Sequence, residues 1–219
     1  MGVTDQPLLA VAHRAGNNLA DLRAAVAAGV DLIEADVHLF GGVLELRHAK
    51  ALGRRHLWEP WRELTHRRDV DVPRLDVLLA AAGPAHLMLD LKGPYRTLAP
   101  RVATVLREWA PRVPVTVCSR HWGMLDAFAD QPHIRRVHSA GSRRQLARLG
   151  VLAARRPVAG MSIRLDLLTA PVVADLRRHT DLIMAWPVDT EDALRRARAV
   201  GATGIISKNL SLLQSLAAR

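Results

Sequence analysis

The 219-residue sequence is poor in cysteine and has no long apolar run. Its single cysteine, Cys118, forms no internal disulfide and offers no thiolate pair for a structural zinc site. The best apolar run, residues 77–89, is shorter than the roughly 18 residues a transmembrane helix needs and is broken by Gly83 and Pro84. No basic segment precedes the short apolar run at the N-terminus, as a secretory signal would require. We therefore expect a soluble cytoplasmic protein.

Lysine and aromatic residues are also scarce. Three lysines, Lys50, Lys92 and Lys208, accompany 28 arginines, and the chain has eight aromatic residues. Eight aromatic residues are few for a protein that stacks side chains on nucleic-acid bases. The net charge of +10 reflects a general preference for arginine. We expect no nucleic-acid partner, and contact with an anionic membrane surface is not expected although the charge would permit it. The oligomeric state stays open. In such a chain each lysine is a candidate for a position that needs a compact charge.

Short β-rich apolar runs alternate with segments of helical period along the whole chain. Strands are predicted at residues 8–12, 32–37, 86–91, 115–119, 135–139, 159–163, 182–188 and 204–207. Helices are predicted at residues 19–28, 75–82, 97–109, 123–129, 143–149, 170–178, 190–200 and 210–218. Gly29, Gly150 and Gly201 are interpreted as C-caps of the helices they follow, and Thr190 as an N-cap.

Strict alternation of strands and helices indicates a parallel sheet with crossover helices. Eight such units favour a single α/β domain, a closed (β/α)₈ TIM barrel over residues 1–219. An open Rossmann-like sheet is the alternative, but the first turn, residues 13–18 (HRAGNN), lacks the spaced glycines of a dinucleotide loop.

Residues 39–75 interrupt this alternation. A hairpin strand is predicted at residues 43–48 after the Gly41-Gly42 turn, and the segment beyond it is too long for a plain connection. An insertion after a barrel strand lies at the catalytic rim, so this segment is a candidate lid with Trp58 and Trp61 as an apolar surface. A surface elaboration with no ligand contact fits the sequence equally well.

Charged side chains close two of the predicted strands. Residues two apart on a strand share a face, so Glu34 and Asp36 face the barrel interior together, as do Asp90 and Lys92. In a barrel, inward side chains near the carboxyl ends of the strands line the active site. Three carboxylates from two strands are hard oxygen ligands of the kind that Mg²⁺ or Ca²⁺ takes.

Histidines and further basic residues follow the same pattern. His13 and Arg14 end the first strand, and His48 and Lys50 follow the hairpin strand. Two histidines suit general acid–base catalysis, and Arg14 with Lys92 would hold phosphate oxygens. Each of these residues alone would as readily be structural. Their convergence on one end of a barrel predicts a metal site that also binds a phosphate group of the substrate.

The order of these residues resembles the glycerophosphodiester phosphodiesterase family. The similar segments are residues 12–50, 72–79, 86–93 and 185–209. The resemblance implies a (β/α)₈ barrel enzyme that uses one divalent cation, Mg²⁺ or Ca²⁺, to cleave a small glycerophosphodiester to glycerol phosphate and an alcohol. It implies catalytic histidines His13 and His48, and metal ligands Glu34, Asp36 and Asp90. It further implies substrate-binding residues, which are Arg14, Asn17, Lys92 and Trp186.

The sequence departs from the family pattern at three places. The Glu of the Glu-Asn-Thr element is Gly16, Ala49 replaces the Asp that follows the second histidine, and Asp90 replaces a Glu. The Asp-x-Lys sequence at Asp90 is similar to the related sphingomyelinase D branch. A phospholipase or lyase acting on a lipid head group is therefore one alternative. A non-catalytic barrel that binds an anionic partner is the other.

Overall fold

The computed structural model describes residues 7–59, 64–93, 96–109 and 113–217. Within these residues the chain forms twelve strands and seven α-helices. The strands are β1 (Leu9–Ala12), β2 (Leu32–Phe40), β3 (Val43–Leu46), β4 (Lys50–Leu52), β5 (His56–Trp58), β6 (Thr65–His66), β7 (Leu87–Leu91), β8 (Val115–Ser119), β9 (Arg135–Ala140), β10 (Met161–Arg164), β11 (Ile183–Trp186) and β12 (Gly204–Ser207). The helices are α1 (Leu19–Ala27), α2 (Leu75–Ala82), α3 (Leu98–Trp109), α4 (Arg143–Arg155), α5 (Ala170–Leu176), α6 (Glu191–Ala199) and α7 (Leu210–Ala217).

Eight parallel strands form the closed barrel that the alternation predicts. Their order is β1, β2, β7, β8, β9, β10, β11 and β12, and β12 pairs with β1 to close the circle. Each barrel strand is followed by a helical segment before the next one begins. The prediction of a (β/α)₈ TIM barrel is confirmed. None of the described helices combines the length and apolar character needed to cross a bilayer.

Alternating side chains divide the core into two layers. The smaller layer fills the barrel interior with residues from seven strands, which are Val11, Leu32, Met88, Cys118, Val137, Met184 and Ile206. The larger layer packs the outward side chains of the same strands, such as Ile33 and Ala35, against the helices. Burial of each large apolar side chain contributes about 1.5–3 kcal/mol. Because Leu32 fills the interior, the strand's period of two directs Glu34 and Asp36 inward above it.

Most predicted boundaries hold to within a few residues, and two local predictions are wrong. Gly150 lies inside α4 and does not end it, because the helix continues to Arg155. The helix predicted at residues 123–129 is a 3₁₀ segment that covers Trp122–Phe128. The other helix-end predictions are confirmed: Gly29 and Gly201 have φ of 69° and 85°, and Thr190 accepts a hydrogen bond from the Ala193 amide.

The insertion after β2 begins as the predicted hairpin. β3 pairs antiparallel with the extended end of β2, but it ends at Leu46 and not at His48. Beyond it, β4, β5 and β6 form a separate three-stranded antiparallel sheet. Trp58 on β5 is 42% exposed, while Trp61 lies outside the described residues.

The first turn packs tightly on β2. A Cβ added to Gly16 would lie 2.7 Å from the Cβ of Ala35 and 3.2 Å from the carbonyl oxygen of Glu34. We therefore predict that Gly16→Ala lowers the free energy of unfolding by about 1–3 kcal/mol, the usual cost of overpacking. Urea denaturation measures the change.

Gly150→Ala is the matched control for this substitution. A Cβ at Gly150 meets nothing within 4 Å, and the residue lies inside α4. Alanine there should stabilise the protein by about 0.5–1 kcal/mol through its higher helix propensity. Equal effects of the two substitutions would contradict the close approach at Gly16.

Candidate active site

Three carboxylates meet at the carboxyl ends of two neighbouring strands. β2 and β7 pair in parallel with Asp36 directly opposite Asp90, and Glu34 precedes Asp36 on the same face. One ligand atom from each of these three residues lies within 4.8 Å of the others. Glu34 and Asp36 are 3% and 0% exposed. The structure therefore brings the three predicted metal ligands together in a buried cluster, which we call the carboxylate triad.

Lys92 compensates part of the charge of the carboxylate triad. Its ammonium contacts Asp90 and lies 2.8 Å from Asp36 Oδ1. Burial opposes the charge on Lys92, but the carboxylates of Asp90 and Asp36 raise the pKa of its ammonium. Burial likewise opposes the charge on Asp36, yet the charge and hydrogen bond of Lys92 hold its pKa below the usual value. Lys92 and Asp36 thus form a buried ion pair.

The other two carboxyl groups of the carboxylate triad are less well compensated. Burial, followed by the neighbouring charge of Asp36, raises the pKa of Glu34 well above its usual value. Burial also raises the pKa of Asp90. Burial also raises the pKa of the Cys118 thiol well above its usual value, which disfavours the thiolate form.

The carboxylate triad has the donor chemistry and spacing for one hard divalent cation. Ligand oxygens at about 2.0–2.6 Å from Mg²⁺ or Ca²⁺ lie at most about 5 Å from one another. The separation of 4.8 Å in the triad meets this condition. The carboxyl groups of the triad outnumber the two cations beside them, Lys92 and Arg14, and this arrangement favours a cation at this position.

Two residues of the first turn position Asp36. The amide Nδ2 of Asn17 donates to Asp36 Oδ2 at 2.8 Å, and the Asp36 backbone amide donates back to Asn17 Oδ1 at 2.8 Å. Arg14 Nε lies 3.7 Å from Asp36 Oδ2. Asn17 therefore faces a carboxylate of the triad, where it fixes the orientation of Asp36.

Arg14 has a strained backbone that serves the same cluster. Its φ of 62° is in the left-handed region, which costs a non-glycine residue on the order of 1 kcal/mol or more. In this conformation the backbone amide of Arg14 donates to Glu34 Oε2 at 2.6 Å. One residue thus contacts two members of the carboxylate triad, Glu34 through its backbone and Asp36 through its side chain.

His13 lies beside the carboxylate triad on β1's carboxyl end. Its Nε2 is 4.0 Å from Glu34 Oε2, beyond hydrogen-bond distance. Burial, and then the charge of Arg14, lowers the pKa of His13 to about 4, so the imidazole is neutral near pH 7. Among the described residues, no hydrogen-bond partner reaches its buried Nδ1.

His48 is held by a residue that the sequence patterns did not single out. Its Nδ1 lies 2.6 Å from Glu59 Oε1, and the same oxygen is 3.4 Å from Arg14 Nη1. A carboxylate only accepts hydrogen bonds, so Nδ1 carries the proton and Nε2 is the basic nitrogen. Glu59 belongs to the insertion, so the insertion contacts two predicted site residues. Glu59 carries no motif, and its position in a long irregular segment gave no signal.

The remaining predicted residues lie on other elements. Trp186 ends β11, and within the described part of the chain its buried Nε1 has no hydrogen-bond partner. Lys208 follows β12, the neighbour of β1; it is exposed and lines a pocket together with His13 and Arg14. The ammonium of Lys50 lies 5.9 Å from the centre of the Trp58 ring, within the three-stranded sheet of the insertion. The structure thus does not bring Lys50 to the carboxylate triad.

Solved structures with the same fold include several glycerophosphodiester phosphodiesterases. A phosphodiesterase from Oleispira antarctica, solved with the product sn-glycerol-3-phosphate, is 20% identical over 98% of both chains, with a TM-score of 0.74. A glycerophosphoryl diester phosphodiesterase from Silicibacter pomeroyi is 18% identical over 98% of this chain and 94% of its own, with a TM-score of 0.77. A Thermotoga maritima glycerophosphodiester phosphodiesterase is 15% identical over 95% and 98%, with a TM-score of 0.76.

The likeness is structural. The sequence matches no protein-family model and no curated protein. Nearly full coverage on both sides nevertheless means that this chain and these phosphodiesterases share one barrel from end to end. The resemblance seen in the motifs is therefore matched by the fold.

Proposed function

We propose that this protein is a metal-dependent phosphodiesterase that cleaves a glycerophosphodiester to glycerol phosphate and an alcohol. The observation that carries the proposal is the carboxylate triad with its basic neighbours at the carboxyl rim of the barrel. The same-fold phosphodiesterases support it, and one of them holds sn-glycerol-3-phosphate. A panel of glycerophosphodiesters assayed with Mg²⁺, Ca²⁺ and EDTA tests the activity directly.

The cationic groups of the site favour a phosphodiester as the substrate. A divalent cation bound by Glu34, Asp36 and Asp90 would offset the negative charge of these carboxylates. The guanidinium of Arg14 and the ammonium of Lys92 would then face the single negative charge of a phosphodiester. When bound, Mg²⁺ or Ca²⁺ would neutralise charge that develops on the phosphoryl oxygens. Arg14 and Lys92 supply donors for the same oxygens, Arg14 through a planar fork and Lys92 through a compact ammonium.

The two histidines supply the proton transfers of the proposed reaction. One removes a proton from the nucleophile, either water or the neighbouring glycerol hydroxyl, and the other protonates the leaving oxygen. Attack by the hydroxyl would pass through a cyclic phosphate. His13 Nε2 lies 4.0 Å from Glu34 Oε2, whereas His48 Nδ1 lies 2.6 Å from Glu59 Oε1. Because the two imidazoles face different carboxylates, we assign them to different oxygens of the phosphate.

Glu59 and Asn17 act as positioning residues in this proposal. Whether His48 acts as base or acid, its imidazolium form occurs during the reaction, and the carboxylate at 2.6 Å stabilises that form. Glu59 takes the place that the family's Asp would hold at Ala49. Asn17 orients Asp36 through two hydrogen bonds, a role that differs from the substrate contact implied by the resemblance.

Loss of the metal ligands should abolish turnover without unfolding the barrel. We predict that Asp36→Asn or Glu34→Gln removes detectable activity, and that excess EDTA does the same to the unmodified enzyme. Circular dichroism should show an intact fold in both variants. The exposed variant Asp76→Asn, on α2, is the matched control and should keep full activity. Full activity of either triad variant or in EDTA would exclude the metal assignment.

Removal of His48 or its carboxylate partner should slow the reaction to different degrees. We predict that His48→Ala, like His13→Ala, lowers kcat by about 10²–10⁴-fold, the usual scale for a general acid or base. Glu59→Gln should lower kcat by a smaller factor. Burial, and then the charge of Arg14, lowers the pKa of His48, and the hydrogen bond and charge of Glu59 oppose this lowering. Their loss should therefore shift the pH limb due to His48 to still lower pH. Steady-state rates measured across pH test both effects. An unchanged pH profile in Glu59→Gln would show that Glu59 does not act through His48.

Lys92 should not be replaceable by arginine. Its ammonium fits between Asp36 and Asp90, where a guanidinium is bulkier and directs its donors differently. We predict that Lys92→Arg lowers kcat/KM by at least about tenfold, equivalent to about 1.4 kcal/mol of barrier. Lys50→Arg is the matched control, because Lys50 lies over Trp58. An unimpaired Lys92→Arg enzyme would remove Lys92 from the site.

A further inference from the structure

A second concave pocket lies at the carboxyl rim of the barrel, beyond β8. Its volume is about 470 Å³. Three arginines from three separate segments line it, together with Trp122 and Gln145; they are Arg96, Arg120 and Arg148. Arg96 lies in the segment before α3, Arg120 directly follows β8, and Arg148 is on α4. We call this the arginine pocket.

The three arginines of the arginine pocket have no acidic partner among the described residues. Some exposed arginines elsewhere do have one, since Arg107, Arg164 and Arg178 each pair with an aspartate. The guanidinium of Arg148 instead lies 5.4 Å from the centre of the Trp122 ring. Three cations converging on one concavity without a counter-charge raise the local positive potential and attract an anion.

The arginine pocket adjoins the candidate active site. β8 pairs with β7, the strand that carries Asp90, so Arg120 follows the strand next to the carboxylate triad. The Arg120 guanidinium also packs at Gly141, where an added Cβ would lie 3.1 Å from Arg120 Nη2 and 3.2 Å from Trp186 Cη2. Trp186 is a predicted substrate contact, and no hydrogen-bond partner reaches its buried Nε1 in the part of the chain that the structure describes. The arginine pocket therefore lies at the same end of the barrel as the carboxylate triad, one strand further around.

We propose that the arginine pocket binds a second anionic group, a phosphate or carboxylate, on the alcohol of the diester substrate. The inference rests on the proposed function and specifies its substrate class. Guanidinium groups bind phosphate and carboxylate oxygens in bidentate fashion, and Trp122 offers an apolar wall for the carbon atoms beside them. An alcohol that carries a cation is disfavoured by the same three charges. Anionic glycerophosphodiesters are thus the preferred substrates.

Two diesters that differ by one phosphate group test this preference. Glycerophosphoinositol and glycerophosphoinositol 4-phosphate are compared by kcat/KM, and the phosphorylated diester should be preferred at least about tenfold. Arg120→Gln and Arg148→Gln should each reduce that ratio by about fivefold or more. Arg144→Gln is the matched control, because Arg144 is also an exposed α4 arginine but does not line the pocket. Equal ratios in all three variants and the unmodified enzyme would overturn the proposal.

Binding measurements separate this proposal from the proposed function. Calorimetry on EDTA-treated protein compares the same two diesters and inorganic phosphate. Tighter binding of the phosphorylated diester that is lost in Arg120→Gln would support the arginine pocket, whether or not either diester is cleaved. Absence of cleavage would refute the phosphodiesterase activity alone. Turnover of both diesters with no preference between them would leave the activity standing and overturn the pocket. Binding of inorganic phosphate as tight as that of the phosphorylated diester would overturn the assignment to the substrate's alcohol.

Discussion

The burial of three carboxylates beside one another is the constraint on which the rest of the site depends. Taking several like charges out of water is costly unless cations and donors surround them. Lys92 compensates Asp36 and Asp90, and Asn17 donates to Asp36. The strained Arg14 backbone donates to Glu34. Each support comes from a segment that directly follows a barrel strand. The conformation of these segments at the rim therefore depends on the negative charge of the carboxylate triad, which they compensate.

The fold separates the carboxylate triad from the apolar core that stabilises the barrel. Apolar side chains fill the interior below the site, with Leu32 and Met88 two residues before Glu34 and Asp90 on their strands. The alternation that directs these carboxylates inward also directs Ile33 and Ala35 into the layer under the helices. Substitutions at the mouth can therefore change chemistry while the layers that hold the barrel closed stay packed. The close approach of Gly16 to Ala35 is an exception, because it couples the first turn to β2.

The barrel and its carboxylate triad could be predicted from local sequence patterns, whereas Glu59 and the arginine pocket could not. The period of two placed Glu34 and Asp36 on one face, and parallel register put Asp90 opposite Asp36. Gly150 shows the limit of a local rule, since tertiary packing of α4 outweighs the helix-ending preference of glycine. The arginine pocket could not be predicted from the sequence, for a different reason. Its arginines come from three distant segments of a sequence with 28 arginines, so only the folded chain distinguishes them.

The insertion after β2 contributes a residue to the site that the sequence did not reveal. In sequence it was equally consistent with a lid or with a surface elaboration, because no periodicity or motif marks its residues. In the structure Glu59 reaches both His48 and Arg14 through one carboxylate oxygen. Ala49 follows His48 in sequence and offers no carboxylate, whereas Glu59 of the insertion lies 11 residues beyond His48 and accepts its hydrogen bond. A carboxylate can support a histidine from any segment that reaches Nδ1, since the hydrogen bond depends on distance and direction and not on chain position. The insertion is therefore part of the site, because one of its carboxylates contacts both His48 and Arg14.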